Sequence, residues 1–180
     1  MSRVVNLTNS QSALGRLHEM REHGGPAETR GLTDEIILDF LEDRHDLATA
    51  IDRGYDAFLA LRESHTDFLA LSEREQILES QHGLTNFYRP ESVNPYVAIA
   101  ACGPWIVTMK GAVIHDSGGY GMLGLGHTPD HVLGELAHKQ VMANVMTPSL
   151  AQLRLVRALR KELGHRRSDG CPISGFLFMY

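Results

Sequence analysis

The stretch Gly118–Pro129 reads GGYGMLGLGHTP and holds Gly119-Tyr120-Gly121-Met122-Leu123-Gly124, a literal G-x-G-x-x-G. In a dinucleotide site such glycines follow a strand and open a helix, and an acidic residue lies about 20 positions on to bind the ribose. Here the next helix-start signal is Thr128-Pro129, four residues after Gly124, and the neighbourhood of residue 144 is ANVMT, without a carboxylate. The glycines are better read as shaping an extended loop. Tyr120 stands out within it. An aromatic side chain flanked by glycines either projects into a cleft, where backbone and ligand come close, or packs beneath the loop.

Other residue types invite other chemistries and support them less. His127, His131 and His138 suggest a metal, but His127 falls at or before the helix cap, where helical spacing does not yet hold. There is also no H-E-x-x-H pattern and no nearby cysteine, so no metal site is expected. Cys102 and Cys171 could each serve as a nucleophile, yet neither has a recognisable signature, and buried structural cysteines are the plainer reading. Arg154, Arg157, Arg160 and Lys161 could meet phosphate, or simply form a solvated helix face.

The chain has 180 residues, of which 43% are hydrophobic and 22% charged, which suits one globular body of ordinary size. No apolar run approaches the roughly 18 residues that span a bilayer, and the N-terminus lacks a signal-peptide core. Two cysteines make no disulfide framework. A cytoplasmic location without membrane contact is the default expectation. The net charge of -5 is uneven. Residues 1–94 hold 9 Lys+Arg against 17 Asp+Glu, giving -8, and residues 95–180 hold 8 against 5, giving +3. The acidic first half argues against nucleic acid as a partner.

These residues need elements to position them. Thr33-Asp34-Glu35 starts a helix that continues through Ile36, Ile37, Phe40 and Leu41, and Leu47, Ile51, Tyr55, Phe58 and Leu59 form a second apolar stripe. Ser72-Glu73-Arg74-Glu75 is a capping box for a third helix, ending near His82-Gly83. Residues 22–31 read as a loop and 84–96 as an ordered linker. Trp105–Met109 and Ala112–His115 read as a hairpin turning at Lys110-Gly111. Thr128-Pro129 and Thr147-Pro148 each look like a cap followed by a proline at the first helical position. Leu150, Leu153, Val156, Leu159 and Leu163 then line one face of a helix that Gly164 stops. Ile173–Tyr180 reads as a buried strand.

From Gly103 to Tyr180 the order of these motifs resembles the N-terminal part of class III (ornithine/acetylornithine-type) aminotransferases, which depend on pyridoxal phosphate. The hairpin WIVTMKGAVIHD, the loop ending in Gly126-His127-Thr128-Pro129 with Val132, the helix PSLAQLRLVRALRKELG and the strand ISGFLFMY carry the likeness. The histidine-to-proline spacing is one residue shorter than the family's, and Met109-Lys110-Gly111 replaces its Asp-x-x-Gly turn.

The resemblance implies an α/β fold. It would be the N-terminal part of a fold-type I transferase: a small-domain hairpin, then the first helix and strand of the large domain, behind a mainly helical extension. It implies three regions: an acidic helical extension over 1–83, the linker, hairpin and glycine-rich substrate loop over 84–127, and the start of the large domain over 128–180. The activity implied is transfer of an amino group between an amine or amino acid and an oxo acid or aldehyde, in a homodimeric enzyme. Tyr120, with Gly119 and Gly118, matches the substrate-facing position. The family's Schiff-base lysine, its ring-nitrogen aspartate and its phosphate cup lie beyond the position of Tyr180. No catalytic residue is therefore expected among the 180, the cofactor-binding residues are left unassigned, and the chain alone should be inactive. An aminomutase or racemase of the same fold, and a non-catalytic interaction module, are the alternatives.

Overall fold

The computed structural model describes residues 2–85, 89, 92–118, 124–137 and 149–176. Among these, seven helices and one small sheet form a mixed α/β structure. The helices are α1 (Ser2–Glu22), α2 (Asp34–Asp43), α3 (His45–Ser64), α4 (Thr66–Ala70), α5 (Glu73–Gln81), α6 (Asp130–Ala137) and α7 (Leu150–Gly164). The strands are β1 (Ala98–Cys102), β2 (Trp105–Thr108) and β3 (Val113–His115), antiparallel in the order β1-β2-β3. No described helix is long and apolar enough to cross a membrane. The chain divides into two compact units, Met1–Leu133 and Gly134–Tyr180.

The first unit is organised around α3. Leu47, Ala50, Ile51, Gly54 and Phe58 recur at helical spacing and are buried. Gly54 lets the helix lie close on the sheet: a Cβ there would sit 3.1 Å from Val107 Cγ1 and 3.6 Å from Ala100 Cβ. The other side of α3 meets α1, whose Ala13, Leu17 and Met20 complete the core. Polar contacts also join these two helices. Arg16 pairs with Asp52, and Glu19 accepts hydrogen bonds from Tyr55 and from Arg62 at 2.8 Å. β2 is buried along its whole length, as expected of a central strand covered on both faces.

Several sequence expectations hold. α2 begins after Thr33, whose hydroxyl accepts from the Ile36 N–H, and Ser72 and Glu75 make the reciprocal capping box of α5. The hairpin forms over β2 and β3. Its turn needs Gly111, which has φ +68° and lies so close to α1 that a Cβ would fall 2.7 Å from the Leu17 carbonyl.

Other expectations fail for identifiable reasons. Thr128 does not cap α6. Its hydroxyl donates to the Ala101 carbonyl at 3.1 Å and accepts from Arg53 at 2.8 Å, and the Leu133 N–H donates to the Pro129 carbonyl, so Pro129 is the cap. Ser149 caps α7, in a box with Gln152; Thr147 and Pro148 lie outside the described residues. Residues 173–176 are not a strand. They pair with no strand among the described residues, Ile173 is 40% exposed, and the Ser174 carbonyl accepts from Arg160 at 2.7 Å. Positions 177–180 lie outside the described residues. The helices of 1–83 and the hairpin share one core. α1 and β1 escaped the sequence reading. The large apolar residues of the first keep no clear helical period among its polar ones, and the second is an alanine run of weak strand propensity.

Candidate functional site

The loop that held the chemical candidates begins at Asp116, directly after β3, and returns at His127. Three contacts pin its two ends together. The Asp116 N–H donates to the Pro104 carbonyl at 2.7 Å. His127 and Gly103 exchange backbone hydrogen bonds, His127 N–H to Gly103 O at 2.7 Å and Gly103 N–H to His127 O at 3.1 Å. Finally, His127 Nε2 lies 3.0 Å from Asp116 Oδ2. The result is a loop with adjacent ends, a form that often carries function.

Glycine serves the base of this loop as much as its tip. Gly103 and Gly126 have φ +55° and +79°, and a Cβ on Gly126 would sit 2.9 Å from Gly103 Cα. At Gly126 the two backbones touch, and a Cβ on Gly103 would fall 2.5 Å from Asp46 Oδ2. Gly124 has φ +87° with open space beside it, so it needs glycine for conformation alone. Of the three residues expected to face substrate, Gly118 is exposed and its N–H donates to Asp116 Oδ1 at 2.9 Å. Gly119 and Tyr120 lie outside the described residues.

Asp116 is the centre of the arrangement. Its side chain is only 8% exposed, and its two oxygens serve the Gly118 N–H and the His127 ring. A buried carboxylate that holds one imidazole nitrogen fixes the orientation of the ring. Thr128, immediately after, has φ +47°, which a β-branched residue rarely adopts. Its two hydroxyl contacts hold it there, and Arg53 also reaches Asp130 at 3.6 Å. Strain of this kind collects where structure is held for a purpose. Asp116 and Arg53 have no sequence signal beyond an aspartate shortly before two glycines, and the signal at Thr128 points to a helix cap instead of to this strained position. Their roles come from contacts between residues far apart in the chain.

Among the described residues no three His, Cys, Asp or Glu side chains gather as a metal site. His131 is exposed on α6, and His138 lies outside the described residues. Cys102 and Cys171 are free thiols of intermediate exposure. The described lysines do not fit a pyridoxal phosphate imine. Lys110 is 2% exposed, with Nζ donating to the Leu71 carbonyl at 2.6 Å and the Leu69 carbonyl at 3.4 Å. Burial pushes its ammonium below the ordinary lysine range, against an opposing pull from Glu73 and Glu75. Lys161 stands exposed on α7. Compared with known protein families, with characterised proteins and with solved structures, the chain matches none.

Proposed function

We propose that residues 116–127 are the substrate-facing loop of a class III, pyridoxal-phosphate-dependent aminotransferase, cytoplasmic and homodimeric, acting on an amine or amino acid and an oxo acid or aldehyde. In this reading the chain positions substrate through Tyr120, with Gly118 and Gly119 giving it room. The residues that hold the cofactor are not among those described. The observation that supports it is the hairpin running straight into a loop whose ends are clamped by Asp116, His127 and Gly103. A clamp of this kind holds the ends of a loop in place while its tip meets a ligand. An aminomutase or racemase would use the same loop and the same aromatic.

The test is Tyr120→Ala in a holoenzyme that contains this segment. The expected result is a rise in KM for the amino donor of about tenfold or more, with the affinity for pyridoxal phosphate unchanged. Equal loss of substrate and cofactor binding, or loss of folding, would assign Tyr120 to packing and remove the reading.

A second reading, a non-catalytic interaction module, is favoured by α7. That helix buries no residue and exposes Leu150, Leu153, Leu155 and Leu163 beside Arg154 and Arg157. It requires that charge or leucine substitutions on α7 abolish an association while Tyr120→Ala leaves it intact.

A further inference from the structure

A cleft of about 370 Å³ opens beside the Lys110–Gly111 turn, where the end of α1 meets the segment leading into α2. Arg21, Arg30 and Lys110 line it against one carboxylate, Asp34, so the side-chain charge of its wall is three positive less one negative, or +2. That carboxylate is already engaged at both oxygens, Oδ1 by Arg21 at 2.5 Å and Oδ2 by His18 at 2.6 Å. The cations are not similarly satisfied. Arg21 also donates through Nε to the Gly111 carbonyl at 3.0 Å, but its Nη2 has no partner. Arg30 is exposed and pairs with nothing among the described residues.

Lys110 is the most telling of the three. Buried charges are ordinarily paired with an opposite charge. Lys110 is almost wholly buried, yet its two partners are neutral carbonyls, which use two of the three hydrogens of an ammonium. Glu73 and Glu75 act on it electrostatically, but neither lines the cleft nor forms an ion pair with it. Glu73 instead receives the Glu28 and Thr29 N–H groups, both at 2.6 Å. The wall therefore offers unused donors and unbalanced positive charge around a space sized for a small molecule.

We propose that this cleft binds a doubly charged oxyanion of the phosphate type, with the Arg30 and Arg21 guanidinium groups on its oxygens and Lys110 supplying charge from the buried wall. Planar guanidinium forks match terminal phosphate oxygens in pairs, and the bound anion adds negative charge on the cleft side of Lys110, where no carboxylate pairs with it directly. A free phosphate and the phosphate end of an ester present the same oxygens to this wall. The site is independent of the loop at 116–127.

The experiment titrates the full chain with inorganic phosphate, read by calorimetry and by thermal melts against chloride at matched ionic strength. The expected result is one saturable site and a phosphate-specific rise in Tm. Arg30→Gln should weaken Kd by about tenfold or more while leaving the phosphate-free Tm unchanged, because Arg30 holds nothing in the fold. Glycerol 2-phosphate is the second arm: tighter binding than phosphate identifies an ester as the source, and equal binding identifies the free anion. Amide shifts on adding phosphate should centre on Gly31 and Gly111, a readout that needs no variant. Absence of a phosphate-specific rise, an unchanged Kd in Arg30→Gln, or shifts centred elsewhere would overturn the site.

Discussion

Helix α3 buries Leu47, Ala50, Ile51, Gly54 and Phe58 against α1 and the sheet, whereas α7 carries leucines at equally regular spacing and buries none of them. Both sequences have an apolar stripe, so the stripe does not separate them. What differs is the size of the residues within it. α3 interleaves large side chains with Ala50 and Gly54, and the small residues let a sheet backbone come close, so the large ones reach a common core. The stripe positions of α7, Leu150, Leu153, Val156, Leu159 and Leu163, are all large, its Ala151 and Ala158 fall off that stripe, and its neighbouring faces carry Arg154, Arg157, Arg160 and Lys161. An apolar period shows that a face can be buried. The small residues show where another element can approach closely enough to bury it.

The largest effect that tests this difference belongs to Phe58. It is 1% exposed, stacked against Tyr55 at 6.1 Å and met edge-on by His23 at 5.3 Å. Phe58→Ala is expected to cost about 3–5 kcal/mol, through lost burial plus the cavity left between α1 and α3. Chemical denaturation followed by tryptophan fluorescence reports it, because Trp105 belongs to the same core. A cost below about 1 kcal/mol would mean the α1–α3 seam collapses to fill the space, and the distinction from α7 would lose its basis.

The same distinction explains what the sequence could and could not reveal. The starts of α2 and α5 were legible because a cap is a local device: Thr33 and Ser72 satisfy N–H groups three residues away. The hairpin was legible because its two strands lie on either side of one tight turn. Thr128 misled for the opposite reason. Threonine before proline is a good local cap, but its hydroxyl was claimed by Ala101 and Arg53, 27 and 75 positions away. The Asp116–His127 clamp spans 11 positions and carries no periodicity, so only the fold brings it together. Lys110 stands in the turn that its place before Gly111 predicts. Its burial against the Leu69 and Leu71 carbonyls depends on where α4 ends, which no spacing near residue 110 encodes.

A middling effect is expected at the start of α7. A helix without buried side chains draws proportionally more of its stability from its ends. The Ser149 hydroxyl accepts from the Gln152 N–H at 3.2 Å, and the Gln152 side chain accepts from the Ser149 N–H at 3.1 Å. Ser149→Ala should cost about 0.5–2 kcal/mol locally. Amide exchange within Leu150–Gly164 should rise while exchange within α3 stays as it was. A matching rise in α3 would mean the two helices unfold as one body, and the contrast between them would then be one of degree.

The smallest effect is also the one that discriminates most. Leu153 is 44% exposed, so Leu153→Ala removes apolar surface that water already reaches in part, and alanine is the better helix former. Stability should change by no more than about 0.5 kcal/mol, as at ordinary surface positions. A loss of about 2 kcal/mol or more is the signature of a leucine inside a packed interface. That result would mean the leucine face of α7 is covered in solution, and it would bring α7 into the same class as α3. The protein-concentration dependence of the melt then identifies the cover: a second copy raises Tm as concentration rises, while a segment of the same chain leaves it unchanged.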